Sequence, residues 1–412
     1  MAAQMTGRDR AEPPPTAPQQ SRIFIVAGEP SGDVIGAEIM AALIAQSPQP
    51  ITFAGIGGPR MAALGLKSEV AIDALSVFGA FELIPQLWRI RQILQQTLTA
   101  IAGFQPDIVL TVDSKGFSFA LAKRLAARRG SALVPRLMHV VAPTVWAYRP
   151  ERARKIAAFL DHLLVLFPFE PGYFTIHGLL TNFIGHPAAD RQLGNGKRFR
   201  ASHDFAPDEP ILALFPGSRR SEVQRLLPDF LAAAKILSAR YERLKIVLPT
   251  VSAVMDHVQH AVQASDLDIT VLPDVDDKSD LFAGIDLALA ASGTVTLELA
   301  LAAVPSVVAY RLHPLSALIA LRIVDLSAVV LSNRILGRAV QPVFLQKHCT
   351  PDNLASALKT FLEAPDAATQ AAAIAAELRQ LLRQGDPELH GTAAAAANFV
   401  LAELAGGNAL RT

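Results

Sequence analysis

Short apolar runs that each end in a turn and open into a helical pattern recur along this chain, and few folds accommodate them. A strand that is apolar on both faces belongs in a parallel sheet, and parallel pairing requires a crossover, usually a helix. From Arg22 the run Ile23-Phe24-Ile25-Val26-Ala27 leads into Gly28-Glu29-Pro30-Ser31-Gly32-Asp33 and a helix through Ala45. The unit returns at Ile51 to Ala54, followed by Gly55, Gly57 and Gly58, and at Asp107 to Val112, followed by a helix over Phe119 to Arg129. Pro135 to Val141, Leu163 to Leu166 and Asn182 to Ile184 read as further short strands. This half predicts a doubly wound sheet.

Around Gln192 to Pro210 the chain turns polar, with Gly194-Asn195-Gly196-Lys197 and Pro207-Asp208-Glu209-Pro210, as an interdomain linker would. A second series of strands follows at Ile211 to Phe215, Leu244 to Leu248, Ile269 to Leu272, Leu287 to Ala290 and Ser306 to Ala309. The expected fold class is α/β, with two Rossmann-like αβα domains facing each other across a cleft. Its parts are a disordered tail over 1–20, a first domain over 21–190, a linker over 191–209 and a second domain over 210–385. Residues 386–412 read as a C-terminal helix returning to the first domain.

The length of 412 residues suits two large domains. A 51% hydrophobic fraction with 6% aromatic residues reflects the Ala, Leu and Val that fill helix-covered parallel sheets. The formal charge of +1 supplies no basic field for nucleic acid, so none is expected as a partner. The single cysteine, Cys349, excludes an intrachain disulfide framework and a cysteine-rich zinc site, which fits a reducing, cytoplasmic setting. Residues 1–20 carry Arg8, Asp9 and Arg10 and a Pro-rich run without an apolar core, unlike a signal peptide. Leu287 to Tyr310 holds only Glu298 as a charge, but Ser292-Gly293-Thr294 and Pro305 break it into strand, helix and strand, not a membrane span.

Two turns of the second half bear chemistry. Phe215-Pro216-Gly217-Ser218-Arg219-Arg220 joins a strand to a helix, where unpaired N–H groups and the helix dipole suit a phosphate. Gly217 allows close backbone approach, Ser218 donates a hydrogen bond and Arg219 brings charge; the alternative is an ordinary helix cap. Ser292-Gly293-Thr294 repeats the device, and Glu298 lies one turn into the helix, where a carboxylate can accept from two ribose hydroxyls. A capping box with Thr294 or a solvated helix face also fits Glu298. Together the turns can hold a nucleoside diphosphate.

An ordered series of motifs resembles the lipid-A-disaccharide synthases, inverting glycosyltransferases of the GT-B type. It runs from Gly28-Glu29 with Ser31-Gly32-Asp33, through Gly58-Pro59-Arg60-Met61, Ser76-Val77-Phe78-Gly79 with Glu82, and Pro106-Asp107 leading to Asp113. His139, Pro143-Thr144-Val145-Trp146-Ala147-Tyr148-Arg149, Phe167-Pro168-Phe169-Glu170 and Gly185-His186 continue it. Pro216-Gly217-Ser218-Arg219 with Glu222, Ser292-Gly293-Thr294 with Glu298, Tyr310-Arg311 and Asn333 complete it.

The resemblance implies transfer of 2,3-diacylglucosamine from UDP-2,3-diacylglucosamine to the 6-hydroxyl of 2,3-diacylglucosamine 1-phosphate. The products are a β-1′,6-linked disaccharide and UDP. It implies Asp113 as the base, with Arg219 and, in second rank, Glu29 beside it. Gly217, Ser218, Arg220, Ser292, Gly293, Thr294, Glu298, Tyr310, Asn333 and Arg149 then bind substrate. Neither a metal nor a cofactor is implied, and a homodimer stays open. The chain departs from the family in Asp113-Ser114-Lys115-Gly116-Phe117, where a second aspartate is usual, and at Ser332, where proline is usual.

Acylated substrates imply a peripheral enzyme on the cytoplasmic face of the inner membrane of a Gram-negative bacterium. Val77 to Trp88, with Phe78 and Phe81, is the candidate acyl-chain surface, with Arg89, Arg91, Arg149, Arg152, Arg154 and Lys155 for anionic headgroups. Core packing and a solvated basic helix face are the plain alternatives. The fold alone also fits a UDP-N-acetylglucosamine epimerase, another sugar-nucleotide enzyme, or a non-catalytic nucleotide-binding protein at a membrane surface.

Overall fold

The computed structural model describes residues 20–68, 70, 83–130, 134–275, 278–312, 330–383 and 391–409. Its strands form two six-stranded sheets, and every pair of defined register runs parallel. By contacts the chain divides into residues 1–138 with 397–412, and residues 139–396.

The first sheet and its helices comprise β1 (Ser21–Ala27), α1 (Pro30–Gln46), β2 (Ile51–Ile56), α2 (Pro59–Ala63), α3 (Leu83–Phe104), β3 (Ile108–Val112), α4 (Lys115–Ala126) and β4 (Arg136–Val140). They continue with α5 (Arg152–Ala157), β5 (His162–Val165), α6 (Pro171–Thr175) and β6 (Leu180–Phe183). The strand order is β2-β1-β3-β4-β5-β6, so the direction of winding reverses between β1 and β3. Ile23 to Ala27 and Ile108 to Val112 are fully or almost fully buried, which explains why these strands read as apolar runs, interrupted only by Thr111. Each large aliphatic side chain so enclosed contributes roughly 1.5–3 kcal/mol.

Asp33 on α1 ties this sheet's early turns together. Its buried carboxylate accepts from the backbone N–H groups of Gly58 (2.8 Å), Arg60 (3.0 Å) and Met61 (3.1 Å), closing the start of α2. A Cβ on Gly58 would come within 2.6 Å of that carboxylate, so the glycine is required by close approach.

The second sheet follows α7 (Gly196–Ser202) and comprises β7 (Ile211–Phe215), α8 (Arg220–Ser238), β8 (Lys245–Thr250), α9 (Met255–Gln263), β9 (Ile269–Pro273), α10 (Ser279–Gly284), β10 (Leu287–Ala291), α11 (Thr294–Leu301) and β11 (Ser306–Tyr310). Then come α12 (Leu331–Leu336), β12 (Val343–Leu345), α13 (Pro351–Glu363), α14 (Ala367–Leu382) and α15 (Thr392–Ala409). The order β12-β11-β10-β7-β8-β9 reverses between β7 and β10. Leu287 to Tyr310 is strand, helix and strand as expected, and no described helix is long and apolar enough to cross a membrane.

Two elements depart from the sequence reading. The three-residue strand β12 is too short to show a period. The polar stretch read as a linker contains α7, capped by the Asn195 side chain accepting from the Arg198 N–H at 3.0 Å and anchored by buried Phe199 against Phe282 and Ile285. Ser76 to Gly79, Phe81, Glu82 and the tail through Gln19 lie outside the described residues; Trp88 on α3 is 66% exposed.

Candidate active site

Ligands of open α/β sheets bind beyond the carboxyl ends of the strands, at the point where the winding reverses. In the first sheet that point is flanked by β1 and β3, with Ala27 paired to Val112. Glu29 and Asp113 stand just beyond those two ends. Glu29 is the cap residue of α1, in extended conformation, and its side chain makes no cap hydrogen bond.

Asp113 and Ser114 both adopt left-handed backbone conformations, with φ of 49° and 45°. Two consecutive non-glycine residues there are costly, about 1–3 kcal/mol each, and such strain gathers where geometry serves function. The Ser118 hydroxyl donates to the Asp113 carbonyl at 2.8 Å and secures the turn. Ser114, not Asp113, occupies the cap position of α4, without a side-chain cap bond, so Asp113 is not a capping aspartate. Its carboxylate has no hydrogen-bond or ion-pair partner among the described residues. Lys115 begins α4, where a cation opposes the helix dipole.

In the second sheet the reversal lies between β7 and β10, where Phe215 pairs with Ala290, and Ala291 pairs in turn with Ala309 of β11. This register sets Gly217-Ser218-Arg219, Ser292-Gly293-Thr294 and Tyr310 side by side along one edge. Gly217 has φ of +110°, and a Cβ there would meet the Glu222 carboxylate at 2.8 Å. Glu222 also accepts from Arg219 at 2.7 Å, while the Arg219 side chain stays 79% exposed. Arg219 is the cap residue and Arg220 the first residue of α8, so Ser218 precedes the cap.

Gly293 caps α11 without a side-chain bond, and the Thr296 hydroxyl donates to its carbonyl at 2.8 Å, so the capping box with Thr294 is not formed. Glu298 instead accepts from Arg191 at 3.2 Å. Asn333 holds a loop: its amide accepts from the Val340 and Gln341 N–H groups and donates to the Gln341 carbonyl. Buried Gln341 donates to the Thr296 carbonyl at 3.0 Å and bonds Ser332, which gives the serine in the proline position a definite partner. Arg311 pairs with Asp229 of α8 at 2.7 Å, and burial raises the Asp229 carboxyl while Arg311 opposes the shift.

Arg149 is exposed, has φ of 57°, and lays its guanidinium over the Tyr148 ring at 4.8 Å. The neighbouring motifs meet at Glu170, whose buried carboxylate accepts from the Trp146 indole at 3.1 Å and the Phe167 N–H at 3.0 Å. Arg334 of α12 stacks on Trp146 and Phe169 and donates to the Tyr173 hydroxyl at 2.7 Å. His186 stacks on Phe167, and its Nδ1 accepts from the Ala188 N–H at 3.2 Å. Among the described residues no three His, Cys, Asp or Glu side chains gather as a metal site requires.

Sequence reasoning missed Arg191 and Gln341. No local pattern marks either, since their partners lie 107 and 45 positions away.

A family model for lipid-A-disaccharide synthetase matches residues 23–397. The chain is 49% identical over 367 residues to a lipid-A-disaccharide synthase of Rhodospirillum centenum, covering 88% of this chain and 90% of that protein. Among solved structures, a kitacinnamycin glycotransferase matches with a TM-score of 0.62 at 18% identity, over 94% of this chain and 100% of that one. The UDP-GlcNAc 2-epimerase from Neisseria meningitidis bound to UDP-GlcNAc matches with a TM-score of 0.59 at 12% identity, over 93% and 100%. Likeness at such identities establishes the fold alone.

Proposed function

The chain belongs to the lipid-A-disaccharide synthase family, and from that premise we propose how its residues divide the glycosyl transfer. The fold is the two-sheet α/β arrangement of GT-B glycosyltransferases, and the enzyme joins a nucleotide-sugar donor to a lipid acceptor. The donor is UDP-2,3-diacylglucosamine and the acceptor 2,3-diacylglucosamine 1-phosphate. The observation that carries this reading is that both reversal points bear residues suited to the chemistry: an acid after β3, and turns with glycine, hydroxyl and arginine residues after β7 and β10.

In this reading Asp113 takes the proton from the acceptor's 6-hydroxyl as that oxygen attacks C1 of the donor sugar. Attack comes opposite the bond to UDP, so the C1 configuration inverts and the bonding electrons leave with the diphosphate. Arg219, the first-turn N–H groups and the dipole of α8 offset the charge that grows there. Glu298 accepts from the ribose hydroxyls, and Ser218, Arg220, Ser292, Gly293, Thr294 and Tyr310 line the donor. Glu29 orients the acceptor, and Arg149 and Asn333 act at the margin of the site.

The acylated substrates bring the enzyme to the cytoplasmic surface of the inner membrane. Exposed Trp88 and the basic residues Arg149, Arg152, Arg154 and Lys155 support a peripheral attachment.

A transfer assay with radiolabelled UDP-2,3-diacylglucosamine tests the whole. Asp113→Asn should lower kcat about 10²–10⁴-fold while donor and acceptor still bind. Near-normal turnover by a folded Asp113→Asn enzyme removes that residue from the mechanism.

A further inference from the structure

We infer that Arg191 is a positioning residue for the donor: it holds one oxygen of the Glu298 carboxylate and leaves the other to the ribose hydroxyls. This rests on the ribose reading of Glu298 given above. Arg191 donates through Nη1 to Oε1 of Glu298 at 3.2 Å, and both line a cavity of about 350 Å³ with Lys278, Ser279 and Arg379. That volume lies within the range of small-ligand pockets.

The Arg191 side chain is itself 66% exposed, which alone would mark a casual surface pair. Its backbone is not casual. Ala188 and Ala189, three and two positions upstream, are buried in one cluster with Leu297 and Leu301, which flank Glu298 on α11. The His186 N–H donates to the Leu382 carbonyl at 2.9 Å and the Ala188 N–H to the His186 ring, so the segment entering Arg191 is fixed at both turns. Both partners of the pair are therefore carried by the same packed core, and the contact is a property of the fold.

A carboxylate has two oxygens and about four acceptor positions, so a single bond from Arg191 leaves capacity for vicinal hydroxyls. An unrestrained glutamate loses rotamer freedom when it takes up a ligand; the Arg191 bond removes that freedom beforehand and favours binding. Because the pair is solvent-facing, the gain is modest, about two- to fivefold in affinity.

Steady-state kinetics of the full-length enzyme with UDP-2,3-diacylglucosamine test this. Arg191→Ala should raise the donor KM about two- to fivefold, with kcat and the acceptor KM held, and Arg191→Lys should restore the donor KM. In an enzyme already carrying Glu298→Ala, Arg191→Ala should have no further effect. An unchanged donor KM in Arg191→Ala, or an effect of equal size with and without Glu298, overturns the inference while leaving the ribose reading intact. A donor KM indifferent to Glu298→Ala overturns both.

Discussion

The Asp33 carboxylate is buried at 3% exposure with three backbone N–H donors on it, so it cannot be removed cheaply. Asp33→Ala strands those donors in the interior and should cost about 3–5 kcal/mol, read as a lowered urea midpoint at unchanged slope. Asp33→Asn keeps an acceptor oxygen and should lose less. The sequence displays Asp33 only as the end of a glycine-rich turn; its partner Gly58 is 25 residues away, and nothing local announces the bond. Asp113 shows in the sequence as an acid directly after an apolar strand, but a turn or cap aspartate reads the same way, and its place as the base came from the family resemblance. Its left-handed conformation was not legible, because aspartate only tolerates that region and nothing in its neighbours demands it.

At the scale of elements, glycines decide where helices can approach. A Cβ on Gly196 would lie 2.1 Å from the Ala283 carbonyl oxygen of α10, a backbone atom that cannot swing aside. Gly196→Ala should therefore undock α7, with a loss of about 2–3 kcal/mol seen in thermal or urea unfolding. Gly116 on α4 has nothing within 4 Å of its Cβ position, so Gly116→Ala should stabilise by about 0.5–1 kcal/mol through helix propensity. Run side by side, the two alanine variants separate packing from propensity, and equal effects would contradict this account of α7. The pair also shows why the polar stretch misleads. Gly194-Asn195-Gly196 has the composition of a loose connection, yet its glycines serve contact with α10, and a composition carries no record of what lies opposite. The strands β1, β3, β7 and β10 were legible because burial on both faces writes a nearly continuous apolar run into the sequence.

At the scale of the molecule, the two reversal points depend on strand order, which only long-range pairing fixes; the turns were visible in sequence, but their adjacency along one edge was not. A second global property follows from His186, whose pKa is lowered from 6.5 to about 4, first by burial and then by the charge of Arg191. Its Nδ1 accepts a backbone hydrogen bond, which only the ring without a proton there can do. Between pH 4 and 6.5 the unfolded chain binds a proton at this position that the folded chain refuses. Stability therefore rises with pH through that window: it is whole above pH 6.5 and is lost progressively as the pH falls toward 4. The loss for one such group is at most on the order of 3 kcal/mol. His186→Gln keeps a side chain that can accept from the Ala188 N–H but cannot charge. Urea midpoints at pH 7 and pH 4.5 should accordingly fall less steeply for His186→Gln than for the native enzyme, and parallel declines would show that the ring is not held neutral by the fold.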